Sequence, residues 1–154
     1  IKLFGKLDNI NIVELGGGYG GQCKIIHDVC TPKSYTLIDL PDALALSKKC
    51  LNLWGVSNVN FCDKDTVEKE NKQYDLFISN YAFTEIPREE QAFYANTTIK
   101  HSTRGYITCN FVKTWFTNDD RFGRKELLAL NPTYKTLPET PLTYPNNFVY
   151  TWGT

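Results

Sequence analysis

The sequence predicts an α/β fold in which a parallel sheet is covered by helices on both faces. Three observations carry this. Apolar runs of strand length alternate with helix-period segments along most of the chain. The run at 75–80, with Leu76-Phe77-Ile78 unbroken at its centre, is of the type found in strands buried on both sides. The first run passes directly into five glycines in six positions, Gly16 to Gly21, too glycine-rich for a helix interior.

Asn11 to Leu15 reads as the first strand. After the glycine turn, Cys23, Ile26 and Cys30 recur at spacings of three and four and mark the first helix. Tyr35 to Asp39 is a second strand. Pro41 suits a first helical turn, and Ala43, Leu46, Cys50 and Leu53 form the expected inner stripe of a helix closed by Gly55. Asn58 to Cys62 makes a short third strand, and the charged stretch Asp63 to Gln73 reads as a solvated connection. Asp75 to Asn80 is the fourth strand. Pro87 with Glu89 and Glu90 starts a helix with Ala92, Ala95 and Ile99 on one face, and Gly105 to Phe111 is the fifth strand. Beyond it the pattern predicts a helix at Arg124 to Leu130 and strands at Tyr134 to Leu137 and Phe148 to Trp152, among prolines that blur the boundaries.

A chain of 154 residues with 42% hydrophobic composition has material for one core, so residues 1–154 are read as a single domain. It opens at Ile1, lacks methionine and enters a strand almost at once, a pattern expected of a fragment of a longer protein. The 17 basic and 17 acidic side chains cancel, which argues against a nucleic-acid partner, and no apolar run reaches the ~20 residues a membrane helix needs. The five cysteines are odd in number and contain no C-x-x-C pair. They read as reduced core thiols in a cytoplasmic protein rather than disulfides or zinc ligands.

Chemistry concentrates at Glu14-Leu15-Gly16-Gly17-Gly18-Tyr19-Gly20-Gly21, a strand feeding a glycine turn and then a helix. Gly16, Gly18 and Gly21 meet the G-x-G-x-x-G spacing, and Asp39 ends the next strand, where a carboxylate can grip ribose hydroxyls. Two ligand classes fit such a turn: a nicotinamide or flavin dinucleotide, whose pyrophosphate would sit at the helix N-terminus, or S-adenosylmethionine, which carries a sulfonium and no phosphate. Glu14, two residues before Gly16, would repel a pyrophosphate and suit a cation. It favours the second class.

With these residues the chain resembles the class I S-adenosylmethionine-dependent methyltransferases, whose first motif is an acid followed by a glycine-rich turn. The resemblance implies a Rossmann-like, mostly parallel seven-stranded sheet. It also implies donor contacts from Glu14, Gly16, Gly17, Gly18 and Tyr19, a ribose-binding role for Asp39 beside Leu40, and an adenine-side role for Asp63, with Asp65 two residues away. Glu14 to Gly21, Asp39-Leu40-Pro41 and Tyr74 to Glu85 together are similar to the sugar O-methyltransferase family, over residues 11 to 110. That similarity implies a sugar or other small-molecule hydroxyl as methyl acceptor, although Asp-Leu-Pro also occurs in methyltransferases of phenolic hydroxyls.

Asn80 and Tyr81 are expected to meet the donor, and Glu85, just beyond the fourth strand, is the candidate general base. A first-turn carboxylate that merely favours the helix dipole is the alternative for Glu85. His27 and His101 read as ordinary helical and post-helical residues, and Asp119-Asp120 as a solvated turn rather than a magnesium site, so no metal is expected. Trp115, Phe116 and Phe122 suit either stacking on an acceptor ring or packing. A dinucleotide-dependent oxidoreductase or epimerase and a non-catalytic methyltransferase-like module remain the competing functions.

Overall fold

The structure is a computed structural model and describes residues 2–70, 72–111 and 120–154. Seven strands form one sheet in the order β3-β2-β1-β4-β5-β7-β6. These are β1 (Asn11–Leu15), β2 (Ser34–Ile38), β3 (Val59–Cys62), β4 (Tyr74–Asn80), β5 (Ser102–Cys109), β6 (Lys135–Pro138) and β7 (Phe148–Trp152). The first five run parallel, and β7 lies antiparallel between β5 and β6. Helices α1 (Gly21–Val29), α2 (Pro41–Leu53), α3 (Lys64–Glu70), α4 (Ala82–Glu85), α5 (Arg88–Tyr94) and α6 (Arg124–Leu128) make the connections. Among the described residues no helix is long and apolar enough to cross a membrane.

Adjacent strand residues feed opposite faces of the sheet. Ile12, Leu76 and Ile78 pack with Cys23, Ile26, Leu44 and Leu51 of α1 and α2 on one side. Val13, Phe77 and Ile107 pack with Phe83, Tyr94 and Leu127 on the other, together with Tyr150 and Trp152. The central strands are therefore apolar on both sides, as predicted. Four of the five cysteines, Cys23, Cys30, Cys62 and Cys109, are buried, and Cys50 is half-buried.

Three local readings change. The segment after β3 is a helix, not a bare connection, because Asp63 caps it: its Oδ1 accepts the Thr66 backbone N–H at 3.0 Å and the Thr66 hydroxyl at 2.6 Å. The inner stripe of α2 is Leu44, Ser47 and Leu51, one residue on from the expected one, and Leu46 and Leu53 face solvent. Ser47 can occupy that face because its hydroxyl donates to the Leu44 carbonyl at 3.0 Å, which satisfies the buried oxygen. After α5 the chain continues as one π-helical turn, Ala95–Ile99. The buried face there is Gln91, Tyr94, Ala95, Thr98 and Ile99, which keeps the expected Ala95 and Ile99 but turns in Gln91 rather than Ala92, its Nε2 donating to the Phe83 carbonyl at 2.8 Å.

Sheet order reverses beside β1, since the chain runs outward through β2 and β3 and then returns to lay β4 on the opposite side of β1. The carboxyl ends of β1 and β4 diverge there, and a crevice opens between their connections.

Candidate functional site

A cavity of about 570 Å³ occupies that crevice, lined by residues that follow β1 to β4 and by α5. Its floor is the glycine turn. Gly16 takes φ +81°, a backbone region L-residues avoid, and lies so close to Ala82 at the start of α4 that a Cβ on Gly16 would overlap the Ala82 Cβ. Gly17 approaches the Leu37 side chain equally closely, and the place its Cβ would take is 3.7 Å from Glu14 Oε2. The backbone of the turn is thus the wall of the site.

Asp39 secures the turn from β2. Its Oδ2 accepts the Gly18 N–H at 3.0 Å, and its Oδ1 accepts the Leu40 N–H at 2.8 Å. A carboxylate has about four acceptor positions, so these contacts leave lone pairs for hydroxyl groups in the cavity. The cap of α2 is Leu40, which makes no side-chain cap bond, so Asp39 precedes the helix without capping it. Asp63 lines the cavity as well, with its carboxyl held below the usual range by the Thr66 hydroxyl and N–H.

Glu14 is buried at 2% exposure beneath the turn, facing α1. The Tyr35 hydroxyl donates to its Oε2 at 2.8 Å. Burial pushes its carboxyl up to about 7, the Tyr35 hydrogen bond opposes the shift, and the Asp39 charge adds to it. Glu14 therefore acts on the site from below, through the turn, and its ionisation responds to charge in the cavity.

Gly16, Asp39, Leu40 and Asp63 line one cavity, with Glu14, Gly17 and Gly18 shaping its floor. Four other candidates point elsewhere. Tyr19 is exposed and its ring meets Trp54 edge-on at 6.1 Å. Asn80 accepts the Thr108 hydroxyl at 3.1 Å and lines a separate groove on the α1 side of the sheet. Tyr81, at φ +68°, turns its hydroxyl to Glu139 of the segment between β6 and β7. Such a φ is costly outside glycine and marks the turn after β4 as strained. Glu85 is exposed at the end of α4, accepts the Asn110 Nδ2 donor at 2.7 Å and does not line the cavity.

Sequence reasoning missed Lys64, Glu90, Tyr94 and Ser79. The first three line the cavity from α3 and α5, and burial raises the Tyr94 hydroxyl to about 12, with the charges of Glu90, Asp39 and Asp63 adding to the shift. The signal for Tyr94 was its place one helical turn after Glu90. Ser79 is fully buried behind Gly16: its hydroxyl donates to the Leu15 carbonyl at 3.0 Å and accepts the Phe83 N–H at 3.0 Å, joining β1, β4 and α4. Ser79→Ala leaves both backbone groups without that partner and is expected to cost about 1–2 kcal/mol, read as a fall in Tm of about 3–6 °C.

Asp119, Trp115 and Phe116 lie outside the described residues. Asp120 accepts from Arg88, and Phe122 packs edge-on against Phe83 with the Arg88 guanidinium over its ring. His27 directs Nδ1 to the Cys23 carbonyl at 2.8 Å, and His101 pairs with Gln73 at 2.7 Å. Among the described residues no group of three or more His, Cys, Asp or Glu side chains is placed to hold a metal ion.

No family model matches the sequence, and no curated protein matches it. Solved structures do. Mitomycin 7-O-methyltransferase MmcR superposes with a TM-score of 0.67 at 13% identity, over 93% of this chain and 48% of its own. An rRNA methylase from Streptococcus thermophilus gives 0.66 at 12% identity over 95% and 86%, and DhpI in complex with SAH gives 0.63 at 16% identity over 97% and 79%. The chain carries the class I methyltransferase fold. It spans about half the length of the mitomycin methyltransferase it matches. At these identities the likeness concerns the fold, and the seven-stranded order with an antiparallel β7 is the class I core.

Proposed function

We propose that the chain is the donor-binding core of an S-adenosylmethionine-dependent methyltransferase acting on a sugar or another small-molecule hydroxyl. The observation that carries this reading is the charge of the cavity. Among the described residues Asp39, Asp63, Asp65 and Glu90 line it against a single cation, Lys64, whose ammonium is already paired with Glu90 at 2.7 Å. A pyrophosphate would enter a field of its own sign, whereas a sulfonium enters an attractive one. The turn is consistent with this reading as well, because Gly16 and Gly17 let its backbone pack directly against Ala82 and Leu37, which leaves no side chain of the turn itself at Gly16 to fill the cavity.

When bound, S-adenosylmethionine supplies an already electrophilic methyl group. The chain's own residues then bind and orient: Asp39 accepts ribose hydroxyls, Asp63 and Tyr94 bound the adenine side, and Glu14 balances the positive charge from beneath the turn. In this reading Glu85, held by Asn110 beyond the carboxyl ends of β4 and β5, would take the proton of the acceptor hydroxyl. An RNA acceptor is disfavoured by the same acidic rim that disfavours a pyrophosphate.

The reading is tested by calorimetric titration with S-adenosylhomocysteine and, in parallel, NADH. Binding of the first alone is expected. Asp39→Ala removes the carboxylate that both ties Gly18 and accepts ribose, and is expected to weaken S-adenosylhomocysteine at least tenfold. Binding of NADH alone would move the protein to the oxidoreductases, and silence from both would favour a non-catalytic module.

A further inference from the structure

We infer that Glu90 is a specificity-determining residue of the donor cavity: by capturing Lys64 it occupies the one cation among the described lining residues that could hold a phosphate. The inference rests on the donor-site reading above and deepens it by giving the Lys64–Glu90 pair a part in ligand selection.

Lys64 opens α3 and Glu90 lies in the first turn of α5, and both line the cavity. The Lys64 Nζ donates to Glu90 Oε1 at 2.7 Å and sits 5.0 Å from the centre of the Phe93 ring, so its head is drawn onto α5 and held there by a charge pair and an aromatic face. Glu89 and Glu68 also face Lys64 electrostatically. Among the described residues Glu90 is the carboxylate that hydrogen-bonds it. Both side chains are partly exposed, at 41% and 32%, and a pair so placed contributes little to folding. Its consequence is chemical. A lysine beside an adenosine site offers a mobile point charge to any phosphate on the nucleoside. Paired with Glu90 it offers none, while the three aspartates continue to repel anions. The cavity thereby separates an adenosine carrying a sulfonium or thioether from one carrying phosphates, by penalising the second.

Glu90→Ala frees the Lys64 ammonium, and Glu90→Gln removes the charge while keeping the shape. Each variant is titrated with ADP and with S-adenosylhomocysteine after circular dichroism shows a wild-type fold. The expected result is a rise in ADP affinity of about tenfold in Glu90→Ala, a smaller rise in Glu90→Gln, and a matching fall in the preference for S-adenosylhomocysteine over ADP. Adding Lys64→Met to Glu90→Ala is expected to return ADP to its wild-type affinity. An ADP affinity unchanged in Glu90→Ala, or a gain that survives Lys64→Met, overturns the inference. Failure of the wild type to bind S-adenosylhomocysteine overturns the donor reading instead, and the ADP series still reports on the pair.

Discussion

Gly16→Ala is expected to lower stability by about 3 kcal/mol and to weaken S-adenosylhomocysteine by at least about 100-fold. Two costs combine. At φ +81° an alanine pays the left-handed penalty of about 1–2 kcal/mol, and its methyl must overlap the Ala82 Cβ, a group on backbone that opens α4 and cannot swing away. The turn can relieve the overlap only by lifting from the sheet. Lifting it disturbs the Gly16 N–H bond to the Ile38 carbonyl, 2.9 Å long, and the Gly18 N–H bond to Asp39. On the donor-site reading proposed above, the turn meets its ligand through backbone, so binding is expected to suffer more than stability. Denaturant melts and calorimetry on Gly16→Ala and on Gly16→Ala/Ala82→Gly separate the terms. The second change removes the opposing methyl and is expected to restore about half of the lost stability, leaving the backbone strain. A double variant no more stable than the single one would mean that Ala82 is not what confines the turn.

The same contact shows why the core of the site was legible in the sequence. A strand that ends in an acid, runs into glycines and precedes a helix leaves few ways to fold, and Asp39 at the end of the neighbouring strand arrives beside the turn because β1 and β2 pair in register, Leu15 opposite Ile38. Short-range pattern and parallel topology are enough to bring Glu14, Gly16, Asp39 and Asp63 to one edge. The fold was legible for the same reason, since each buried strand carries its own apolar run.

What was not legible depends on which way a side chain turns once its backbone has arrived. Tyr19, Asn80 and Tyr81 all lie at the carboxyl edge, yet Tyr19 finds Trp54, Asn80 finds Thr108 and Tyr81 finds Glu139, 58 residues away. Periodicity does not encode those partners. The cavity's α3 and α5 walls were hidden for a different reason: Lys64 lies in a segment that reads as a solvated connection and Glu90 in a pair that reads as a helix start, and only their juxtaposition gives them a role. The helix over Lys64–Glu70 did carry a local signal in Asp63 and Thr66, three residues apart as an N-cap requires, and the density of charge obscured it. From α5 into the turn that follows, Ala95 and Ile99 face inward as expected, but Gln91 replaces Ala92 because it donates to the Phe83 carbonyl and accepts the Phe122 N–H, partners an apolar stripe does not reveal.

Glu14→Gln is expected to flatten a pH dependence that the wild type shows between pH 5 and 8. In the folded chain burial pushes the Glu14 carboxyl up to about 7, against an ordinary value of 4.5. Between those values the folded state holds a proton that the unfolded state has released, so stability falls as pH rises. The contribution is fully present below pH 4.5 and is lost as pH climbs through about 7, for a total of about 3 kcal/mol. Glutamine keeps the shape and can still accept from the Tyr35 hydroxyl, but does not titrate, so its variant is expected to be the more stable at pH 8 and nearly equal at pH 5. Ligand binding runs the other way. A cation above the turn favours the ionised carboxylate, so affinity for S-adenosylmethionine is expected to rise from pH 6 to 8, with a proton released on binding that calorimetry in buffers of different ionisation enthalpy detects. In Glu14→Gln both the rise and the proton release should vanish. A wild type whose melting temperature is flat from pH 5 to 8 would show that Glu14 is ionised throughout, and the coupling between the buried carboxyl and the charge of the donor would go with it.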